Sequence, residues 1–257
     1  MKGTINLPLF LAAIACLPAL LAHSLDQIPL SNVAFVFRNA TADDAGDIAT
    51  VTIDAFSTAP YWDYLHQFQD KYPGYAWQCA RDVYKSVLED DSPDAYVFKV
   101  IAVPDRTARS GSRVVSFSVW DFNRTGMPDS TFASLMFGGT GNCSQRLDTN
   151  TTRVDHYYKS ILESEKKYLD AVFKHQVYVG GLATHPQWDG HGFAKTHLDW
   201  GMEIADNLGL PTTLTGTEAG HPLYKSVGFE DLHNTTIERL DGKGIIWHEV
   251  MKYSGAD

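Results

Sequence analysis

Cysteine is scarce in this chain: among 257 residues there are three, Cys16, Cys79 and Cys143. That excludes a disulfide framework, and with no Cys, His, Asp or Glu grouped at metal-ligand spacing it gives no reason to expect a metal site. Positive charge is also in short supply, with 21 Lys and Arg against 31 Asp and Glu and a formal net charge of -10. Non-specific nucleic-acid binding depends on cations that release counterions from phosphates, so nucleic acid is not expected as a partner. Neither a Walker lysine motif nor a G-x-S-x-G elbow occurs, which removes two common enzyme classes. No internal repeat is visible. Apolar residues at 44% and charged residues at 20% are ordinary for one globular domain.

A long apolar run occurs at the start of the chain. Met1-Lys2 is followed by Ile5 to Leu21, apolar apart from Asn6 and interrupted by Pro8 and Pro18. This has the shape of a secretory leader ending near Ala22 rather than a spanning helix, which needs about 20 apolar residues. The expected organisation is therefore a signal peptide over 1–22 and a single domain over 23–257. Asparagine usage agrees with a secreted, extracellular or secretory-pathway protein: N-x-S/T acceptors stand at Asn39, Asn123, Asn142, Asn150 and Asn234, five of the eight asparagines. Loss of the leader removes Cys16 and leaves Cys79 and Cys143, either one disulfide or two buried thiols.

Periodicity then orders the domain. Val33 to Arg38 alternates as a first strand, and Thr41 with Asp44 forms a capping-box start for a helix burying Ile48, Val51, Thr52 and Ala55. Tyr61 to Leu88 is aromatic-rich and helical, broken near Tyr72-Pro73-Gly74, with Trp62, Tyr64, Leu65, Phe68 and Trp77 expected mostly in the core. Ala95–Val103 and Arg113–Asp121 read as an antiparallel hairpin. Residues 124 to 152 are rich in Gly, Ser, Thr and Asn and are expected as an exposed loop insertion, with Val154 to Phe173 returning to helical spacing. Val177–Thr184 is a strand with Gly180-Gly181 inside it, the mark of a bulge or a close backbone approach. Ala194, Leu198, Gly201, Ala205 and Leu208 form a helical stripe ended by Gly209 and Pro211. Thr212–Gly216, a short helix from Gly220 to Ser226 and a closing strand Gly244–Lys252 in a hairpin complete an α/β chain with a mixed, mostly antiparallel central sheet flanked by helices.

The segment Thr184-His185-Pro186-Gln187-Trp188-Asp189-Gly190-His191-Gly192-Phe193-Ala194-Lys195 joins the bulged strand to the small-residue helix. Main-chain N–H groups at a helix start lack intrahelical partners, and glycines at 190 and 192 let them approach an anion closely. Together with Ala219-Gly220-His221-Pro222-Leu223-Tyr224-Lys225-Ser226-Val227-Gly228-Phe229 and the opening Arg38-Asn39-Ala40-Thr41-Ala42-Asp43-Asp44-Ala45, this segment resembles the GNAT family of N-acetyltransferases over most of residues 33 to 252, in a secreted, glycosylated form of fungal type.

The resemblance implies the acyl-CoA N-acyltransferase fold, acetyl-CoA as co-substrate and acetyl transfer to a primary amine of a small molecule or peptide. It implies that Leu182, Ala183 and Thr184 meet the pantetheine arm, that Asp189, Gly190, His191, Gly192, Phe193, Ala194 and Lys195 surround the pyrophosphate, and that Tyr224 is the general acid. It also implies a homodimer as one possible assembly. Two positions depart from the family pattern. Asp189 replaces a Gln or Arg beside the pyrophosphate, and Thr217, next to Glu218, replaces an asparagine after the fifth strand. The general base is not legible: water, Asp121, His185 and Tyr178 all remain open. Asp189 and the leader also leave open a glycosylated binding protein of GNAT shape with weak or no transferase activity.

Overall fold

The computed structural model describes residues 33–90, 96–125 and 143–255. The expected leader and Asn142 lie outside the described residues. Strand β1 (Val36–Asn39) leads into a 3-10 turn over Ala42–Asp44 and helix α1 (Ala45–Phe56). The Thr41 main-chain N–H and hydroxyl both donate to Asp44 Oδ2, at 2.8 and 3.1 Å, while Arg38 grips both oxygens of the same carboxylate at 2.7 Å. The expected capping pair thus ties the end of β1 to the start of α1.

Helices α2 (Pro60–Leu65) and α3 (Tyr75–Leu88) follow, separated at Tyr72-Pro73-Gly74 as the sequence predicts. Strands β2 (Val97–Pro104) and β3 (Ser112–Arg124) form the antiparallel hairpin. Helix α4 (Thr151–Glu165), extended by a π-helical turn over Lys166–Asp170, leads to β4 (Gln176–Thr184). Then come a 3-10 turn (Pro186–Trp188), α5 (Phe193–Leu208), β5 (Thr212–Thr217), α6 (His221–Ser226), β6 (Glu230–Glu238) and β7 (Ile245–Tyr253).

The seven strands make one sheet in the order β1-β2-β3-β4-β5-β7-β6. Every neighbouring pair is antiparallel except β4 with β5, so the sheet is mixed and mostly antiparallel. Strand β3, rich in Val, Phe and Trp, is buried on both faces, as a central strand must be. On one face α1 and α3 cover Val100, Phe117 and Val119 through Ile48, Val51, Ala80 and Tyr84. On the other α5 lays Leu198, Met202 and Ala205 against Trp120, Val177, Val179 and Leu214. Gly201 of α5 sits on the Trp120 ring: a Cβ there would lie 2.1 Å from it, so no other residue permits this approach.

Three expectations need correction. The described part of the anticipated exposed loop, residues 143–150, buries Cys143, Arg146, Asp148 and Thr149. A disulfide from Cys143 to Cys79 on α3 fastens it, and polar composition reflects buried hydrogen bonding there, not solvent. Its helix also starts earlier, at Thr151, because the Asn150 side chain caps the Arg153 N–H at 3.2 Å. Phe68 is 40% exposed, since it lies in the turn between α2 and α3. Leu208, at the last turn of α5, is 56% exposed because the stripe has run past the sheet edge by then.

Candidate active site

The bulge anticipated from Gly180-Gly181 falls where β4 lies against β3: Val119 pairs with Gly181 and Trp120 with Val179, leaving Gly180 extra. On its other side β4 pairs with β5 at Val177, Tyr178 and Val179, opposite Thr212, Thr213 and Leu214, and no further. Beyond that point the two strands part, so residues 180–184 present an edge without a β5 partner. The bulge makes this opening, because an extra residue bends the strand and strengthens its twist.

At the far end of this edge lies the glycine turn. Gly190 has φ +79° and Gly192 φ +72°, the left-handed region, and beyond the chain neighbours no protein atom stands within 4 Å of a Cβ built at Gly190. No side chain caps α5 at Gly192. Its first main-chain bond is from Thr196 N–H to Gly192 O, so the N–H groups of Phe193, Ala194 and Lys195 have no intrahelical acceptor. The helix dipole adds positive potential at the same place. Charged side chains supply little: Lys195 Nζ is bonded to both oxygens of Asp199 at 2.6 and 2.7 Å, and His185 Nε2 stands 2.9 Å from Asp54. Burial raises the Asp189 carboxyl above its ordinary pKa, which opposes the build-up of negative charge beside Gly190.

Where β4 and β5 separate, a cavity of about 210 Å³ runs under α1, α2, α3 and α4. Gly180, Gly181 and Leu182 line one end, and Thr215 and Thr217 of β5 stand beside them. Aromatic rings form much of the wall, among them Phe56, Tyr61, Trp62, Tyr157, Tyr158 and Tyr178.

Buried polar groups converge on this cavity. Glu165 Oε1 accepts from the Tyr178 hydroxyl at 2.6 Å and from Thr215 Oγ1 at 2.9 Å, while Oε2 accepts from Arg124 at 3.1 Å. Arg124 also bonds both oxygens of Asp170 at 2.8 and 2.9 Å and lies over the Tyr178 ring, 4.0 Å from its centroid. One guanidinium thus faces two carboxylates, and the cluster carries one net negative charge. Burial and the Glu165 carboxylate push the Tyr178 phenol far above its ordinary pKa. Tyr157 Oη and His248 Nε2 lie 2.6 Å apart, and burial holds His248 down to about 4, so it is neutral at physiological pH. His66 Nδ1 stands 2.6 Å from Asp148, and the His66 ring stacks on Trp62.

No protein-family model matches the chain. A protein named "Acetyltransferase" from Stachybotrys chartarum is 24% identical over 197 residues, 75% of this chain and 79% of its own length. Among solved structures, the histone acetyltransferase HPA2 and related acetyltransferase from Corynebacterium glutamicum matches with a TM-score of 0.51 at 16% identity, over 87% of this chain and 98% of its own. The mosquito arylalkylamine N-acetyltransferase like 5b matches with a TM-score of 0.52 at 11% identity, over 86% and 99%. The chain has the GNAT acetyltransferase fold.

On this GNAT fold the sequence-predicted residues fall into two groups. Leu182, Ala183 and Thr184 lie on the unpaired reach of β4, with only Leu182 lining the cavity, and Gly190 to Lys195 form the turn and first residues of α5. Tyr224 sits apart from the cavity lining, 9% exposed, its ring against Gly216 and Gly220, where a Cβ would come within 3.0 Å. Its hydroxyl has no hydrogen-bond partner among the described residues, and burial pushes its pKa up to about 12. Of the bases left open, Tyr178 lines the cavity; Asp121 and His185 do not.

Sequence reasoning missed Glu165, Tyr157 and His248 as cavity groups, and Arg124 as the buried partner of Glu165. Glu165 was legible only as one more residue at helical spacing. The available signal was a charged residue on the apolar face of α4, which calls for a buried partner.

Of the acceptor asparagines, Asn39, Asn123 and Asn234 are exposed. The Asn150 amide donates to Gln67 at 2.7 Å while its oxygen caps α4.

Proposed function

We propose that this chain transfers an acetyl group from acetyl-CoA to a primary amine. The observation that carries the reading is the parting of β4 from β5, which joins the glycine turn at one end to an aromatic-lined cavity at the other. In this reading the N–H groups from Gly190 to Lys195 bind the pyrophosphate and the free edge of β4 bonds the pantetheine arm. That delivers the thioester to the cavity mouth at Gly180–Leu182. The neutral amine attacks the thioester carbonyl carbon, and oriented main-chain dipoles stabilise the oxyanion. As the tetrahedral intermediate collapses the C–S bond breaks and Tyr224 gives its proton to sulfur, while the proton lost by nitrogen passes through water and restores the Tyr224 phenol.

The test is thermal melting with millimolar acetyl-CoA. The wild-type midpoint rises by mass action. Gly190→Val introduces left-handed strain of about 1–2 kcal/mol, with no protein atom beyond its chain neighbours within 4 Å of the new Cβ, so it lowers the basal midpoint modestly and removes the acetyl-CoA shift. A wild-type midpoint indifferent to acetyl-CoA, with no thiol released from it in the presence of amines, removes the proposal. It would favour instead a GNAT-shaped binding protein, the reading that the raised carboxyl of Asp189 beside the turn supports.

We also place the protein in the secretory pathway on its leader-like start and its acceptor asparagines. Intact mass of the secreted chain checks it: a mass matching the uncleaved, glycan-free polypeptide contradicts it.

A further inference from the structure

The cavity at the proposed transfer site is partly open to solvent, and its size and lining bear on what enters it. An apolar cavity of about 150 Å³ takes one benzene, so this one, at about 210 Å³, has room for a single ring and a short arm. Helices α1, α2 and α4 turn Phe56, Tyr61, Trp62, Tyr157 and Tyr158 toward this space. Tyr61 and Tyr157 already stack with centroids 5.7 Å apart, the arrangement that extends to a further ring.

Charge is distributed unevenly along the wall. Arg146 lines the cavity too, but it comes from the same segment as Asp148, whose carboxyl it holds below the usual range along with His66. Glu165 belongs to the cluster in which one Arg124 serves two carboxylates, so its charge is incompletely balanced. Its Oε1 accepts two hydroxyls and its Oε2 one guanidinium N–H, which leaves Oε2 able to accept again. Thr215, which bonds it, stands on β5 just past the point where the strands part.

We infer that the acceptor is a small arylalkylamine: a single aromatic ring lodged among the α1, α2 and α4 rings, with its amino group drawn to Glu165 at the end of the cavity where β4 and β5 separate. The inference rests on the acetyltransferase reading for the position of the thioester, but not for the binding of the amine itself. Glu165 recognises the ammonium form; the neutral form, released from it, is the nucleophile. Arg124, Tyr178 and Thr215 are positioning residues that hold the Glu165 carboxylate in one orientation.

The experiment is calorimetric titration of phenethylamine into the full chain without acetyl-CoA, beside n-butylamine and spermidine. Phenethylamine is expected to bind at one site at least tenfold more tightly than either. Glu165→Gln, which keeps the side-chain size but removes the charge and the acceptor that faces Arg124, weakens it about tenfold or more. Ile53→Trp, which fills the cavity from α1 without touching the Glu165 cluster, abolishes binding while the melting transition stays cooperative. Equal affinity for phenethylamine and butylamine, or tighter binding of spermidine, overturns the inference, as does undiminished binding in either folded variant. Thiol release separates the two readings. Phenethylamine bound but never acetylated ends the transferase reading alone, and turnover of amines with no preference for a ring ends the substrate assignment alone.

Discussion

Tyr224 shows how one position can satisfy two demands. Its ring packs against Gly216, Gly220 and Phe229, so it is a core residue by contact, yet its hydroxyl bonds no described group and keeps its proton up to about pH 12. An acid must hold its proton until it is needed, and this pKa ensures that while lowering the driving force for giving it up. Tyr224→Phe removes one oxygen and leaves the packing, so stability should change by less than about 1 kcal/mol, while turnover falls about 100-fold. Thiol release and thermal melting of the same preparation check both halves. An unchanged rate takes Tyr224 out of the mechanism. Glycine is the other residue that the sequence made legible here, because positions 190 and 192 adopt backbone angles that side chains disfavour.

At the scale of elements, the match between pattern and structure is close where one face of a segment is buried and poor where burial depends on a distant partner. The capping pair at Thr41 and Asp44, the break before α3, the β2–β3 hairpin and the bulge in β4 all rest on local geometry and could be read directly. Residues 143–150 could not, since distant partners bury them, among them the disulfide to α3 and the pairing of Asp148 with His66. The seat of α5 on the sheet gives a sharp test. Gly201→Ala places a methyl group inside the Trp120 ring, a rigid side chain buried between β3 and the helix, so the helix must move. A loss of about 1–3 kcal/mol in denaturant unfolding is expected, and a neutral result would mean that α5 is seated elsewhere.

For the whole molecule, two buried histidines tie stability to pH. Burial holds His197 down to about 3 and His248 to about 4, whereas an unfolded chain takes up these protons near 6.5. Between about pH 6.5 and 4 the unfolded state binds more protons, so stability is complete above this window. It falls as pH drops, by up to about 1.4 kcal/mol per unit for each ring. A series of melting curves from pH 7.5 to 4.5 reads this slope. His197→Asn should roughly halve the slope, and a flat profile in the wild type contradicts buried neutral rings. The disulfide acts at the same scale. It joins residues 64 apart, and opening it should cost up to about 4 kcal/mol by loop entropy. Because Arg146 and the Asp148–His66 pair hang on the strapped segment, reduction should also weaken amine binding more than acetyl-CoA binding, which titrations before and after reduction compare.

The sequence alone determined the order of strands and helices, the glycine pair that marks a bulge or a close approach in β4, and the glycine turn before α5, because residue type and hydrophobic period are properties of neighbouring residues. Only the tertiary structure decided what lines the cavity. Glu165 and Arg124 stand 41 residues apart, and Tyr157 and His248 stand 91 apart. No periodicity links such positions: a buried charge becomes tolerable only when folding brings its partner alongside, and that meeting is made by the sheet as a whole.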